Sequence, residues 1–224
     1  METLSDPFTA EEYDAKYEVA SRLTRFSEMK EFLDTLFAPY EGSGFAEFRA
    51  FKDGGSARQK FVPLEFLADH HKEIFRWSHE LNEQGYGIYA GVLPRKANRG
   101  RKEDVMSAAW MWADLDFKLG GEDTVMERIA TLPAKQYPHM LVLSGNGVHA
   151  YWRLSKLIEF TRKEIITRFE TALHGFQTMV QPGTDSVQDI SRVLRLPGTF
   201  NTKKGDRKHV ALVSEKICLP IRES

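Results

Sequence analysis

The sequence predicts an α+β protein. Apolar residues recur on a helical period in some segments and on a strand period in others. The two kinds of segment are mixed without a strict βαβ alternation. The 224 residues, 42% hydrophobic and 28% charged, supply enough apolar surface for a sizeable core in one large domain or two small ones. Internal repeats and low-complexity tracts are absent.

Taken in order, Ser27 is the expected N-cap of a helix that places Met29, Phe32, Leu33, Leu36 and Phe37 on one face and ends near Pro39. Residues 1–40 are read as an N-terminal helical segment packing on a core of residues 41–224. Phe45 to Phe51, aromatic-rich and bounded by Gly44 and Asp53-Gly54-Gly55, reads as a strand ending in a hairpin-like turn. Leu64 to Gln84 carries Leu67, Ile74, Phe75, Trp77 and Leu81 on a helical period and stops at Gly85. Tyr86 to Leu93 is an expected strand, followed by an arginine-containing loop from Pro94 to Lys102. Ala108 to Phe117 is an apolar run that closes on Asp114 and Asp116. A helix is expected from Glu122 to Leu132. His139–Ser144 and Val148–Leu154 read as two strands joined by Gly145-Asn146-Gly147, a strong hairpin signal. Phe160 to Val180 reads as a helix with Ile165, Ile166, Phe169, Leu173 and Phe176 inward, stopped by Gln181-Pro182-Gly183. Beyond it the pattern is irregular and basic until a short strand at His209–Ser214.

Composition excludes several classes. The 31 Lys+Arg against 32 Asp+Glu leave a net charge of −1, so no overall field draws the chain to nucleic acid or membrane. The charges are clustered instead. Arg95, Lys96, Arg99, Arg101 and Lys102 fall in one stretch, Arg192, Arg195, Lys203, Lys204, Arg207 and Lys208 near the end, and acids in the first segment. The lone Cys218 rules out internal disulfides and multi-cysteine zinc sites, and its apolar surroundings suit a packed residue. No apolar run approaches the ~20 residues of a membrane span, and the N-terminus has no secretory pattern. A cytoplasmic protein without a membrane partner is expected.

Three elements carry chemistry. Asp114 and Asp116 stand two apart at a strand end, so the pleat turns both carboxylates to one side. Two such groups repel unless a cation lies between them, and hard oxygen donors suit Mg²⁺ or Mn²⁺ rather than zinc. Exposed strand-end acids are the competing explanation; the apolar lead-in, which buries the strand, favours a site. Ser144-Gly145-Asn146-Gly147-Val148-His149 forms a tight turn whose backbone N–H groups can face a phosphate, with His149 adding a donor or a positive charge. An ordinary hairpin with a polar neighbour competes here, but one helix separates this turn from the Asp-x-Asp strand, so the two can share a sheet. The third element supplies Asp185 and Asp189, then Arg192 and Arg195, then Lys203. A third carboxylate would complete a two-metal site, and the cations can neutralise a triphosphate or a nucleic-acid backbone. Asp189 and Arg192 can equally be a local ion pair.

Asp114-Leu115-Asp116, Ser144-Gly-Asn-Gly-Val-His149, and Asp185 leading into Arg192-Val-Leu-Arg195-Leu-Pro-Gly-Thr-Phe-Asn-x-Lys203 resemble motifs I, II and III of the archaeo-eukaryotic primase superfamily. The primase-polymerase and RepB-like primase group of phages, plasmids and CRISPR-associated loci is the most similar. The resemblance runs in order from Phe45 to Lys203. It implies an α+β catalytic core with an RRM-like antiparallel sheet and a smaller flanking α/β module, forming a cleft for nucleotide, template and primer. It implies that Asp114, Asp116 and Asp185 hold divalent metal and that Ser144 and His149, on the turn containing Gly145, Asn146 and Gly147, contact the incoming nucleotide. Arg192, Arg195 and Lys203 would lie near its phosphates. Motif I here has Asp where many members have Glu, and Asp189 competes with Asp185 as third ligand; the spacing to Arg192 and Arg195 favours Asp185.

The implied activity is template-directed nucleotidyl transfer, as a DNA primase and DNA polymerase. Two Mg²⁺ or Mn²⁺ ions would activate a 3′-hydroxyl and stabilise charge on the α-phosphate and pyrophosphate. The implied partners are single-stranded DNA template and primer, with dNTP or NTP as substrate. The chain has no Gly-x-x-x-x-Gly-Lys-Ser/Thr loop, so a helicase would be a separate partner or part of a longer protein. The loop holding Arg95, Arg99, Arg101 and Lys102 is expected to bind template or primer phosphates, Arg95 alternatively capping a strand end. A prokaryotic, phage or plasmid origin is expected. The competing functions are a metal-dependent nuclease and a non-catalytic single-strand-binding replication module; rolling-circle nicking is disfavoured because no His-hydrophobic-His pair is present.

Overall fold

The structure is a computed structural model that describes residues 10–182, 189–203 and 207–213, with side chains from residue 18 onward. Asp185 and Cys218 lie outside the described residues. The chain opens with α1 (Ala10–Phe37), β1 (Phe45–Phe51), β2 (Arg58–Pro63), α2 (Leu67–Glu83) and β3 (Gly87–Gly91). It continues with β4 (Ser107–Asp116), α3 (Gly121–Ala130), β5 (Met140–Leu143), β6 (Gly147–Glu159) and α4 (Lys163–Val180). Three short strands follow, β7 (Val193–Arg195), β8 (Thr199–Asn201) and β9 (Lys208–Val213).

The strands form two antiparallel sheets. One has the order β2-β1-β3-β7, the other β4-β6-β5-β9-β8. The Gly145-Asn146-Gly147 turn joins β5 to β6, which pair with Leu143 opposite Val148. One hydrophobic cluster joins the two sheets to α1: Met29, Phe32, Leu33 and Leu36 meet Phe48, Ile88 and Leu93 of the first sheet region and Trp112, Val142 and Tyr151 of the second. Removing each such side chain from water contributes about 1.5–3 kcal/mol. Trp110 Nε1 also donates to Leu36 O at 2.8 Å, and Ala109 N–H to the Tyr40 hydroxyl at 3.0 Å, fixing β4 to the end of α1. On the other face of the five-stranded sheet, Ala113, Leu115, Val148 and Ala150 pack on Val125 and Ile129 of α3 and Val180 of α4.

Several boundaries differ from expectation. α1 starts at Ala10 rather than at Ser27; ahead of Ser27, Val19 and Leu23 are exposed and mark no apolar period from which the earlier start could be read. β2, β7 and β8 were not foreseen as strands. The last two are three residues long, too short to show a period of two. β6 runs on to Glu159 because Ile158 and Glu159 pair with Ala108 and Ser107 across a bulge in β4. Among the described residues no helix is long and apolar enough to cross a membrane.

Candidate active site

Asp114 and Asp116 stand at the C-terminal end of β4, half-exposed, with the intervening Leu115 buried on the opposite face. β4 is an edge strand, paired on one side only with β6. Its outer edge is covered by two glutamines of the α4 segment. Gln177 Nε2 donates to Asp114 O at 3.0 Å, and Asp114 N–H faces Gln177 Oε1 at 3.5 Å. Gln181 repeats the pattern on Asp116, with Nε2 donating to the carbonyl at 3.1 Å and Oε1 accepting the N–H at 3.0 Å. The match is geometric. Residues four apart on a helix rise about 6 Å, and alternate residues of a strand about 6.8 Å, so one helix face can meet every outward peptide group of the edge. Both glutamines are buried, and the clamp holds the backbone beneath the two carboxylates. Asp116 Oδ1 also accepts the Lys118 N–H at 2.9 Å.

The register of β4 with β6 sets His149 opposite Asp114 and Gly147 opposite Asp116, so His149 shares the face of the carboxylates. Its Nε2 is 3.7 Å from Asp114 Oδ1. Burial lowers the imidazole pKa from its ordinary value, outweighing the pull of Asp114, and Arg195 pushes in the same direction as burial. His149 is therefore neutral near pH 7 and offers a donor or acceptor instead of a positive charge. Its Nδ1 is buried without a hydrogen-bond partner.

Arg195 comes from the other sheet. It is 7% exposed, its guanidinium sits 5.0 Å from the Tyr89 ring centroid, and Nη1 is buried without a partner. Burial lowers its pKa, while Tyr89 and Asp114 oppose the shift. Burying an arginine whose donors are incompletely met is costly unless an anion completes the site. The Tyr151 hydroxyl is likewise buried and unpartnered, its pKa raised by desolvation and then by Asp114. Asp114 and His149 of one sheet thus lie within electrostatic reach of Arg195 of the other.

The hairpin turn completes this end. Ser144 Oγ and N–H both donate to Gly147 O, at 3.0 and 2.8 Å, and Asn201 Nδ2 donates to Ser144 O at 2.9 Å. Asn146 O accepts the Phe117 N–H, which ties the turn to the end of β4. Gly145 has φ +86°, a conformation that favours glycine, and a Cβ on Gly147 would collide with Leu115 O. Lys203 is exposed, its N–H held by Asn201 Oδ1 at 3.0 Å.

Other expected residues lie elsewhere. Arg95 is not on a nucleic-acid surface: it is fully buried, its Nε donating to Glu47 Oε2 at 2.8 Å and its Nη2 to Ser191 O at 2.9 Å. The cause is a buried carboxylate, Glu47, which also takes Arg49. Arg99, Arg101 and Lys102 do face solvent, each beside an acid: Asp104, Glu103 and Glu170. Asp189 is occupied locally. Burial pushes its pKa up, but hydrogen bonds from the Ser191 N–H and hydroxyl, with Lys102 and Arg192 nearby, bring it below the ordinary value. Arg192 therefore lies near Asp189. Among the described residues no three His, Cys, Asp or Glu side chains cluster as a metal site, so Asp189 does not complete the Asp114–Asp116 pair. The sequence reading missed Gln177, Gln181, Tyr89, Tyr151 and Asn201. The only signal for the first two was their i, i+4 spacing opposite an edge strand.

No protein-family model matches the chain, and no curated protein matches it in sequence. Solved structures do. The AEP domain of the cyanophage S-2L primase-polymerase has a TM-score of 0.50 at 16% identity, over 76% of this chain and 81% of that one. The catalytic domain of primase RepB′, solved in complex with initiator DNA, has a TM-score of 0.51 at 16% identity, over 84% and 86%. The α+β fold of this chain is thus similar to the folds of these two domains.

Proposed function

We propose that this chain is a template-directed nucleotidyltransferase of the primase-polymerase type, acting on single-stranded DNA with dNTP or NTP. The observation that carries the reading is the convergence of a backbone-clamped carboxylate pair, Asp114 and Asp116, with a neutral His149 and an incompletely partnered Arg195 from the facing sheet. The shared fold supports it. Asp114 and Asp116 are hard, same-face oxygen donors and fit Mg²⁺ or Mn²⁺, with Asp185 as the proposed third ligand. A bound divalent ion would supply Lewis-acid stabilisation of the phosphoryl oxygens.

In this reading the RRM-like unit is the five-stranded sheet and its helices, and the nucleotide enters a cleft between the two sheets. Arg195 takes a phosphate of the incoming nucleotide by its open guanidinium edge. His149 donates to another oxygen of it, and the Ser144–Gly147 turn borders the triphosphate together with Lys203 and Arg192. Arg99, Arg101 and Lys102 lie where exposed cations can follow a strand. The chemistry needs no protein nucleophile. What the side chains provide is position and charge.

The test is extension of a labelled primer on a single-stranded template with Mg²⁺ or Mn²⁺ and each nucleotide set, comparing wild type with Asp114→Asn/Asp116→Asn. Growth that needs metal and triphosphate, and that the double variant loses while still binding DNA, is expected. Strand shortening without triphosphate would replace the proposal by a nuclease, and binding that survives EDTA with no extension would replace it by a binding module.

A further inference from the structure

Arg195 has a counterpart beside β8. Arg25, on α1, is also 7% exposed and also stacks on an aromatic ring, its guanidinium 5.0 Å from the Phe200 centroid. Its Nε is likewise buried without a hydrogen-bond partner, and among the described residues no carboxylate pairs with it. An arginine in a protein does not escape burial by deprotonating, so an uncompensated buried guanidinium points to an anion that completes it.

Arg25 lines a cavity of about 510 Å³ between α1, α2, β8 and the start of β9. That volume is within the range of small-molecule sites. Arg207 enters it from the other side with its guanidinium 4.4 Å from the same Phe200 ring, and Arg22 Nη2 donates to His79 Nε2 at 2.9 Å. These two outer arginines have acidic neighbours, Glu83 for Arg207 and Glu18 for Arg22. Glu18 and Glu83 line the cavity too, but among the described residues neither lies within ion-pair distance of Arg25, the innermost of the three. Desolvation and then the positive charges of Arg207 and Arg22 depress its pKa, with Glu83 and Glu18 opposing weakly.

The geometry of the chain here is specific. Gly198 has φ +78°, and a Cβ there would run into Arg25 O, so the Pro197-Gly198 turn is pressed onto α1 at this residue. Asn82 holds the Phe200 backbone through both its N–H and its C=O, at 2.7 and 2.9 Å. Phe200 is thereby fixed beneath the guanidinium, whereas its neighbour Asn201 reaches the Ser144 turn. β8 and β4 are opposite edges of the five-stranded sheet, about 19 Å apart at ordinary strand spacing. The cavity is therefore separate from the carboxylate pair.

We propose that Arg25, flanked by Arg22 and Arg207, forms the base of a second anion site that takes a phosphate group of a free nucleotide or of a nucleic-acid strand. A guanidinium fork matches phosphate oxygens, and three arginines lining one cavity, two of them on the same ring, favour a polyanion over a single carboxylate. The site is defined by binding alone and stands whether or not the chain polymerises.

The test uses the full chain carrying Arg195→Met, which removes the first open guanidinium. Sodium tripolyphosphate binding is measured by calorimetry, and binding of a fluorescein-labelled single-stranded oligodeoxynucleotide by anisotropy. Adding Arg25→Met is expected to weaken at least one affinity about tenfold or more, the worth of one charge-assisted hydrogen-bonded contact. In phosphate-free buffer the same change leaves the melting temperature equal or higher, because it removes an uncompensated charge. Loss in the tripolyphosphate arm assigns a free-phosphate ligand, and loss only in the oligonucleotide arm assigns a strand phosphate. Should Arg25→Met not fold, Arg25→Lys and the half-exposed Arg207→Gln are read by the same affinities. Unchanged affinity in both arms, or no binding of either probe before Arg25 is altered, overturns the proposal.

Discussion

Replacing Gln181 by leucine keeps the size of the side chain and deletes both of its polar groups. Gln181 is 1% exposed and makes two hydrogen bonds to one residue, accepting the Asp116 N–H at 3.0 Å and donating to its carbonyl at 3.1 Å. Leucine leaves that peptide N–H and C=O without partners at a covered sheet edge. Each unsatisfied group costs about 1–3 kcal/mol when buried, and water reaching the half-exposed Asp116 side reduces this, so about 2 kcal/mol in total is expected. For a domain of this size that corresponds to a fall in melting temperature of about 4–8 °C. The effect on chemistry exceeds the effect on stability. A carboxylate released from its clamp shifts on the scale of an ångström, and misplacement of that order costs about a hundredfold in rate. The assays are differential scanning calorimetry, single-strand binding, and primer extension under saturating nucleotide. The expected pattern is a lower melting temperature, unchanged DNA affinity and a fall in kcat. Gln177→Leu should move all three in the same directions. A Gln181→Leu protein that melts within about 1 °C of wild type and extends primers at the wild-type rate would refute the clamp argument.

Arg95→Met should destabilise by about 1.5–3 kcal/mol, because it removes the buried partner of Glu47 Oε2 while Arg49 and Gln59 still hold Oε1, and Glu47→Met/Arg95→Met together should recover part of it; denaturant midpoints check this, and a stable Arg95→Met with weakened DNA binding would return Arg95 to the surface. Gly147→Ala places a methyl group against Leu115 O between β4 and β6, so a loss of about 1–3 kcal/mol is expected in thermal unfolding, with reduced primer extension. His71 is buried 3.1 Å from Asp34, and desolvation outweighs that neighbour to hold its pKa below the ordinary value. The unfolded chain therefore binds a proton that the folded one does not. This contribution is fully present above about pH 6.5 and is lost as pH falls through the folded value. Melting temperature should drop between about pH 7.5 and about pH 5.5, and His71→Gln should flatten the drop, with His79 keeping a slope of the same sign.

Much of the site was legible because it rests on short-range geometry. Asp114 and Asp116 lie on one face by the pleat of a strand, and the Asn-Gly turn fixes Ser144 and Gly147 within a few residues of His149. The placement of Arg95 was not legible. Among closely spaced cations nothing local distinguishes the one that meets Glu47, 48 residues earlier in the chain. The glutamine clamp was hidden for the same reason, since Gln177 reads as a polar position of a helix and Gln181 as part of its stop until the helix is laid along an edge.

The sequence by itself determined the mixture of helices and strands, the hairpin and the pairing of carboxylates, because those follow from periods of 2 and 3.6 and from turn chemistry. Only the tertiary structure decided that β3 and β7 pair and set Arg195 beside Tyr89 within the influence of Asp114, that burial lowers the pKa of His149, and that Arg25 lies over Phe200 with no carboxylate at ion-pair distance among the described residues. Each of those depends on what surrounds a group after long-range pairing, and burial, unlike periodicity, is a property of the whole chain.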